Sequence, residues 1–394
     1  TILSHAPTLA DQLARRPALL DRLIDDSAFA PAPSVDALAE DFARSERPDE
    51  DYQLLLDRVR SRVNETRFAL GVQLVLARSD PLEVAAGYAR VAEAAIRVLA
   101  GAAAGEFEKL HGKVPGCELL ILGLGRLGGE VLTHKSDLDL VYLFSGTHEA
   151  ESDGPRPLRA SEYFNRLAQR VTAALSVPTA AGPLYEVDTR LRPSGKDGML
   201  AVSLESFADY QRERAWTWEH MALTRARPVF GPAAGRDALA AVVAEVLAGP
   251  REAGPVIADA VRMRADIAAA KAPGGPFDVK LGPGGLVDLE FAIHVLQLTR
   301  GVAVRPQLGR AVAELADAGL VPPEIVEAER LLTRMLVTLR LVSPESTEPP
   351  HASCGLVARA CGHESWGALL AAHDEARQRV AALWREVSGE EEQG

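Results

Sequence analysis

Cysteine, long apolar runs and an excess of positive charge are what this chain lacks. Three cysteines among 394 residues, with no Cys-x-x-Cys pair, argue against a disulfide framework and point to a reducing, cytoplasmic setting. No stretch approaches the roughly 20 apolar residues that cross a bilayer, and none reads as a signal peptide, so no membrane association is expected. Lysine and arginine number 43 against 55 aspartates and glutamates, a net charge of −12. Nonspecific nucleic-acid binding relies on neutralising phosphates, so no nucleic-acid partner is expected and a protein partner is preferred. Internal repeats are missing as well, although Gly101–Gly105 is mildly low in complexity.

What is present suffices for a large core. Apolar residues make up 47% of the chain, and its length suggests two or three domains. The most informative stretch is Leu119-Leu-Ile-Leu-Gly-Leu-Gly-Arg-Leu-Gly-Gly129, followed by Ser136-Asp-Leu-Asp-Leu-Val-Tyr-Leu-Phe144. The apolar run reads as a buried strand, the glycines as a tight turn into a short helix, and the second segment as the next strand. Side chains on a strand repeat every two residues, so Asp137 and Asp139 leave the same face, within reach of shared divalent cations. A solvated acidic face is a poor alternative because Val141 and Leu143 on that face are apolar. Gly123-x-Gly125-x-x-Gly128 also matches a dinucleotide-binding fingerprint, but only Glu130 to Ser136 separate the glycines from the acids. That is too short for the helix, turn and strand such a fold requires.

A third carboxylate follows in Gly182-Pro-Leu-Tyr-Glu-Val-Asp-Thr-Arg-Leu-Arg-Pro193. Strict alternation predicts a strand with Glu186, Asp188, Arg190 and Arg192 on one face and Tyr185, Val187 and Leu191 on the other. Alone, the segment fits a salt-bridged exposed strand; beside the aspartate pair, it fits a metal ligand flanked by guanidinium groups that pair with phosphate.

Four blocks in order, 123–144, Tyr185–Met199, Ala215–Arg227 and Phe277–Phe291, resemble glutamine synthetase adenylyltransferase. That family has two related nucleotidyltransferase halves, one removing AMP from glutamine synthetase and the other attaching it. A single set of motifs implies one half, and the Arg-Leu-Arg-Pro-Ser-Gly and Trp-Thr-Trp-Glu-His sequences resemble the attaching, carboxy-terminal half. Thr1 at the start and the acidic end Gly389–Gly394 are in keeping with that expectation. The resemblance implies an α+β polymerase-β-type nucleotidyltransferase domain at 106–248, between an amino-terminal helical region at 1–105 and a carboxy-terminal helical bundle at 249–394. It implies Asp137, Asp139 and Asp188 as catalytic metal ligands for two magnesium ions, or manganese in their place, with ATP as substrate. Asp188 is expected to hold a metal or accept a proton from the attacking tyrosine. Gly128, Gly129, Ser136, Arg190, Arg192 and Lys280 are expected to contact the nucleotide, the glycines through backbone amides. Glutamine synthetase and the PII signal protein are the implied partners. The rival readings are the AMP-removing half and a non-catalytic module binding nucleotide or PII.

Outside these blocks the pattern is helical. Tyr52, Leu56, Val59, Val63, Leu70 and Leu74 recur at helical spacing, and Asp80-Pro81-Leu82-Glu83 supplies a cap, a first-position proline and a capping-box glutamate. Leu286–Arg300, Leu308–Ala318 and Pro322–Leu341 read as bundle helices. His351, Cys354, Cys361 and His363 lie within thirteen positions but lack zinc-site spacing, which favours packing roles. Trp216, Trp218, Glu219 and His220 suit either core or a partner surface. Asp288 and Glu290 diverge on a helix, leaving an ion pair with Lys280 or a place in the site both open.

Overall fold

The computed structural model describes residues 5–17, 19, 29–45 and 50–389. Residues 1–4 and 390–394, on which two of the chain-end expectations rest, lie outside the described residues. Among the described residues four helices come first, α1 (Pro7–Arg15), α2 (Val35–Ala43), α3 (Tyr52–Val75) and α4 (Pro81–His111). Then follow β1 (Leu119–Gly123), α5 (Gly125–Gly128), β2 (Leu138–Phe144), α6 (Ala160–Ser176), β3 (Val187–Asp188), β4 (Ala201–Ser203), α7 (Leu204–Glu213), α8 (Thr217–Leu223) and β5 (Arg227–Phe230). The remainder is helical: α9 (Ala233–Ala248), α10 (Ala253–Ala270), α11 (Leu286–Arg300), α12 (Leu308–Asp317), α13 (Glu324–Val342), α14 (His351–Ala360) and α15 (Trp366–Ser388). The protein is thus α-rich with one small mixed sheet, an α+β arrangement.

Helix α4 is the long strut of the molecule, continuous across residue 105. Asp80 caps it by accepting from Leu82 N at 2.8 Å, Pro81 opens it, and Gly112 at φ +69° ends it. Small residues let neighbours approach closely, and α2, α3, α6 and α13 all pack along it. Its cap also joins the two ends of the chain, because Arg334 of α13 donates to Asp80 Oδ2 at 2.8 Å.

The sheet order is β3-β2-β1-β5, with β4 also on β2. β1 runs antiparallel to β2 and to β5, whereas β2 is parallel to β3 and β4. The antiparallel β1–β2 pair rules out the dinucleotide-binding fold, whose first strands are parallel. All five residues of β1 are buried, as a strand covered on both faces requires.

The expected long strand over 182–193 is not formed. Only Val187 and Asp188 pair with another strand, Gly182 forms a lone bridge to Thr179, and a turn begins at Thr189. Arg192 therefore does not share a strand face with Asp188. Its guanidinium instead donates to the carbonyls of Thr189 at 2.8 Å, Lys196 at 2.9 Å and Gly198 at 3.2 Å. Local side-chain-to-backbone bonds have displaced the ladder that alternation predicted.

The short β2–β3 contact is held from outside the sheet. Arg67 of α3, buried, donates to the carbonyls of Leu184 at 2.9 Å and of His134, and its guanidinium lies 4.7 Å from the Tyr185 ring centroid. It thereby grips the approaches to both strands. His134 is itself fixed between Tyr88 of α4 at 3.1 Å and Gln12 of α1 at 3.0 Å. Burial, then the nearby Arg67, hold its pKa well below the ordinary histidine value, so it is neutral at physiological pH.

Helices α11, α13 and α15 form the carboxy-terminal bundle, joined by α10, α12 and α14. Gly301 in the left-handed region at φ +66° stops α11. The helices expected at 286–300, 308–318 and 322–341 appear within three residues of those bounds at either end, and one apolar core runs from Ala6 to Trp384 without a break.

Replacing Arg67 by methionine should lower unfolding stability by roughly 2–4 kcal/mol, because two buried carbonyls lose a charged donor. Arg67→Lys should recover only part, since an ammonium cannot fork to two separate acceptors. Urea denaturation measures both; unchanged midpoints would show that the carbonyls do not depend on this side chain.

Candidate active site

The turn after β1 brings the glycine segment against β2. Leu124 N donates to the Asp139 carbonyl at 3.0 Å, and Gly125 follows at φ +53°. A Cβ on Gly125 would stand 2.1 Å from Asp139 Oδ2, so both the backbone conformation and the close approach require glycine. Gly128 and Gly129 serve a different need from the one their sequence suggests. Their amides are engaged with Leu124 O and Gly125 O. A Cβ on Gly128 would meet Arg225 O at 1.7 Å, and one on Gly129 would meet Pro306 O at 3.1 Å. These glycines admit neighbouring backbone; they do not present free amides.

Asp137 is exposed just before β2, Asp139 is half-buried on it, and Asp188 stands opposite Asp139 in the parallel register. One oxygen from each of the three lies within 4.8 Å of the others. Among the described residues no other three His, Cys, Asp or Glu side chains converge this way. Burial, then the charges of Asp137 and Asp188, push the Asp139 carboxyl up to about 6. Asp188 goes the other way: Arg190 donates to its carboxylate through the side chain, with Nε–Oδ2 at 2.8 Å, and through the backbone N at 2.8 Å, holding it below the usual carboxylate range. Three hard oxygen donors whose mutual repulsion a divalent cation would relieve are the donor set that magnesium takes. The residues present fit such an ion.

The other expected contacts divide. Ser136 Oγ accepts from Thr133 N at 2.9 Å and closes the turn before Asp137. Arg190 is at the triad but paired with Asp188, and Arg192 braces its own loop. Lys280 sits in a loop that Asp278 organises by accepting from Gly274, Lys280 and Leu281 amides at 3.0–3.1 Å. Asp288 and Glu290 do diverge, and neither forms an ion pair with Lys280. Asp288 pairs with Arg264 and accepts from Gly284 N at 2.6 Å; Glu290 pairs with Arg225 at 2.7 Å.

Two residues at the site carried no weight in the sequence, Arg126 and Arg225, which were legible only as members of the family blocks. Gly125 was read as one of several turn glycines; which glycine meets Asp139 and which basic residue turns inward depend on the fold. The aromatic block also resolves. Trp216 is 64% exposed, and the buried Glu219 accepts from Trp216 N at 2.9 Å and from the Tyr210 hydroxyl at 3.1 Å. His220 pairs with Gln211 O at 2.9 Å. Cys354 and Cys361 are buried and free, with the Cys361 thiol pushed up to about 12 by burial, and their place is in helix packing.

In metal-free protein the raised Asp139 pKa means that the folded state binds more protons than the unfolded state between about pH 4 and 6. Stability therefore falls as pH rises through that window. Asp139→Asn should remove this part of the fall, so in EDTA its Tm should exceed that of wild type by more at pH 7 than at pH 4. Magnesium should raise the wild-type Tm and leave the variant nearly unmoved; equal magnesium shifts would remove Asp139 from the ligand set.

Comparison with known proteins follows the same residues. Residues 1–241 match the model of the glutamate-ammonia ligase adenylyltransferase family, and residues 262–388 match that of GlnD PII-uridylyltransferase. Similar proteins include one from Brucella suis, 39% identical over 353 residues, covering 88% of this chain and 36% of the relative. Another, from Mesorhizobium japonicum, is 40% identical over 327 residues, covering 81% of this chain and 33% of the relative. A third, from Agrobacterium fabrum, is 37% identical over 372 residues, covering 92% and 38%. Each of the three is named bifunctional glutamine synthetase adenylyltransferase/adenylyl-removing enzyme. The chain spans little more than a third of the length of these curated relatives. With a family match over more than half its residues, and with the aspartates of that match converging at one point, the chain belongs to the glutamate-ammonia ligase adenylyltransferase family.

Proposed function

We propose that this chain is a nucleotidyltransferase of the polymerase-β type that transfers AMP from ATP to a tyrosine of glutamine synthetase, releasing pyrophosphate. The observation that carries the reading is the convergence of Asp137, Asp139 and Asp188 within 4.8 Å. An intact carboxylate triad is what a merely regulatory module would have no need to keep together. These three residues would hold magnesium, or manganese, which supplies charge neutralisation on the leaving pyrophosphate and lowers the barrier at the α-phosphorus.

The chain's own residues do the positioning. Arg190 keeps Asp188 ionised, so its oxygens serve a cation better than they would serve a phenolic proton. Gly125 lets the turn close on Asp139, and Arg67 holds the two strands in register. A cleft of about 1080 Å³ reaches Ser136 and Glu186, which adjoin Asp137 and β3 in sequence, although none of the three carboxylates lines it. As the tyrosine oxygen bonds to the α-phosphorus and gives up its proton to solvent water, the bond to the pyrophosphate oxygen breaks in line, and orientation supplies much of the rate. Among the described residues no helix is long and apolar enough to cross a membrane. The three free, buried cysteines suit the cytoplasmic setting we propose. The likeness of residues 262–388 to a PII-uridylyltransferase supports the PII signal protein as a regulatory partner.

The direction is part of the proposal, because the relatives' names carry both activities. With unmodified glutamine synthetase, ATP and magnesium, intact mass spectrometry should show one AMP added per subunit. With adenylylated enzyme and phosphate, little ADP should form. Phosphate-dependent ADP release faster than ATP-dependent labelling would assign the removing activity instead. Asp137→Asn or Asp139→Asn should abolish labelling, and near-normal turnover in either would overturn the assignment of the triad.

A further inference from the structure

Near the triad, and acting on Asp139, lies a second concentration of positive charge, of which only Lys280 was expected from the sequence. Arg225 stands just before β5, and its guanidinium lies within reach of the turn, 3.1 Å from where a Cβ of Gly129 would be. Arg126 is the residue after Gly125, which touches Asp139. Lys280 comes from the loop that precedes α11, and Glu290 from α11 itself. Three cations therefore face one carboxylate, and only Arg225 is paired with it, at 2.7 Å. Among the described residues neither Arg126 nor Lys280 makes an ion pair or a side-chain hydrogen bond. Two nitrogens, Arg126 Nη2 and Arg225 Nε, are buried without an acceptor.

Such an arrangement is costly unless something anionic completes it. An unpartnered buried guanidinium nitrogen forfeits its hydration, and like charges close together repel. Burial lowers the pKa of Arg126 to about 10 even though Glu290 opposes the shift, and Lys280 is lowered by burial and then by Arg126. Burial alone would raise Glu290, yet Arg225, Arg126 and Lys280 outweigh it and bring it to about 2. One carboxylate thus faces more positive charge than it can balance. The neighbouring aspartates do not supply the balance, because a divalent cation on the triad would neutralise them.

We infer that Arg126, Arg225 and Lys280 form a composite seat for a pyrophosphate-like anion, oriented by Glu290, and that the helical region after β5 completes the active site through Lys280. The inference rests on the proposed nucleotidyl transfer for its place in the reaction, where the seat takes the β- and γ-phosphates of ATP and then the leaving pyrophosphate. It reassigns the phosphate clamp from Arg190 and Arg192, whose guanidinium groups are engaged with Asp188 and with loop carbonyls. Lys280 and Glu290 both lie in the stretch that resembles the uridylyltransferase model, whereas Arg126 and Arg225 lie in the stretch that resembles the adenylyltransferase model. Neither stretch has the seat by itself.

Calorimetric titration of pyrophosphate into the full chain with magnesium and no acceptor protein tests this without reference to AMP transfer. Arg126→Met and Lys280→Met should each weaken pyrophosphate binding about tenfold or more, the loss expected for one charge-assisted contact. Lys280→Arg should retain binding, and magnesium alone should raise the Tm of the variants as much as that of wild type. Unchanged pyrophosphate affinity in folded Arg126→Met and Lys280→Met proteins would overturn the seat, even if AMP transfer to glutamine synthetase proceeds. Lost affinity would uphold it even if no glutamine synthetase is labelled. Should a variant not fold, wild-type protein decides: pyrophosphate should shield Lys280 from acetic anhydride, read by peptide mass, and unaltered labelling would refute the proposal.

Discussion

Everything at this site depends on bringing three like charges together at the end of a two-residue strand contact. Asp139 and Asp188 face each other across the β2–β3 register, and so short a ladder cannot by itself resist their repulsion. The resistance comes from a buried guanidinium. Arg67 binds the carbonyl that precedes Asp137 by three residues and the carbonyl that precedes Asp188 by four. Its planar fork reaches two segments far apart in sequence from a single helix, a task an ammonium performs poorly. The hub around it, His134 with Tyr88 and Gln12, brings α1 and α4 to the same point. The amino-terminal helices are thus the frame of the site as well as its cover.

The second constraint is electrostatic balance. Arg190 satisfies Asp188, whereas Arg126, Arg225 and Lys280 crowd a single glutamate. The triad has near it two basic groups that differ in kind. Arg190 is exposed and closes on a carboxylate already present, whereas in the inner group Arg225 is buried, Arg126 and Lys280 are half-buried, and two guanidinium nitrogens have no acceptor. A polyanion bridged to cations on the triad is the chemistry that satisfies both the acids and the inner bases at once. It also explains why an acidic protein keeps basic side chains at a depth where charge is expensive.

Much of this was legible from residue order. The two-residue spacing of Asp137 and Asp139 gave a shared face, the apolar run gave β1, the cap at Asp80 gave the start of α4, and helical spacing gave the limits of α11. What misled was alternation at 182–193. A period of two predicts a strand only where a partner strand continues, and here Arg192 found nearer acceptors in its own loop. The glycines misled in a related way. Sequence can say that residues 123–129 need glycine, but not whether the space is required by a ligand or by backbone; at Gly128 it is the Arg225 carbonyl. Arg126 and Arg225 were invisible because an inward arginine and a surface arginine read alike until the fold is known.

The linkage between the two ends of the chain follows from the same residues. Lys280 is placed by Asp278, whose carboxylate accepts three backbone amides and so fixes the loop independently of the catalytic sheet. Gly284 in the next turn admits the Arg377 carbonyl of α15, where a Cβ would stand 2.1 Å away. The loop is therefore seated on the bundle, and Glu290 on α11 carries that position to Arg225 beside β5. Arg225 in turn keeps its backbone against the catalytic turn, where its carbonyl fills the space a Cβ of Gly128 would take. The ion pair between Glu290 and Arg225 therefore joins the bundle to the turn that carries Gly125, so the basic side chains near the triad are held from the sheet and from the bundle at once.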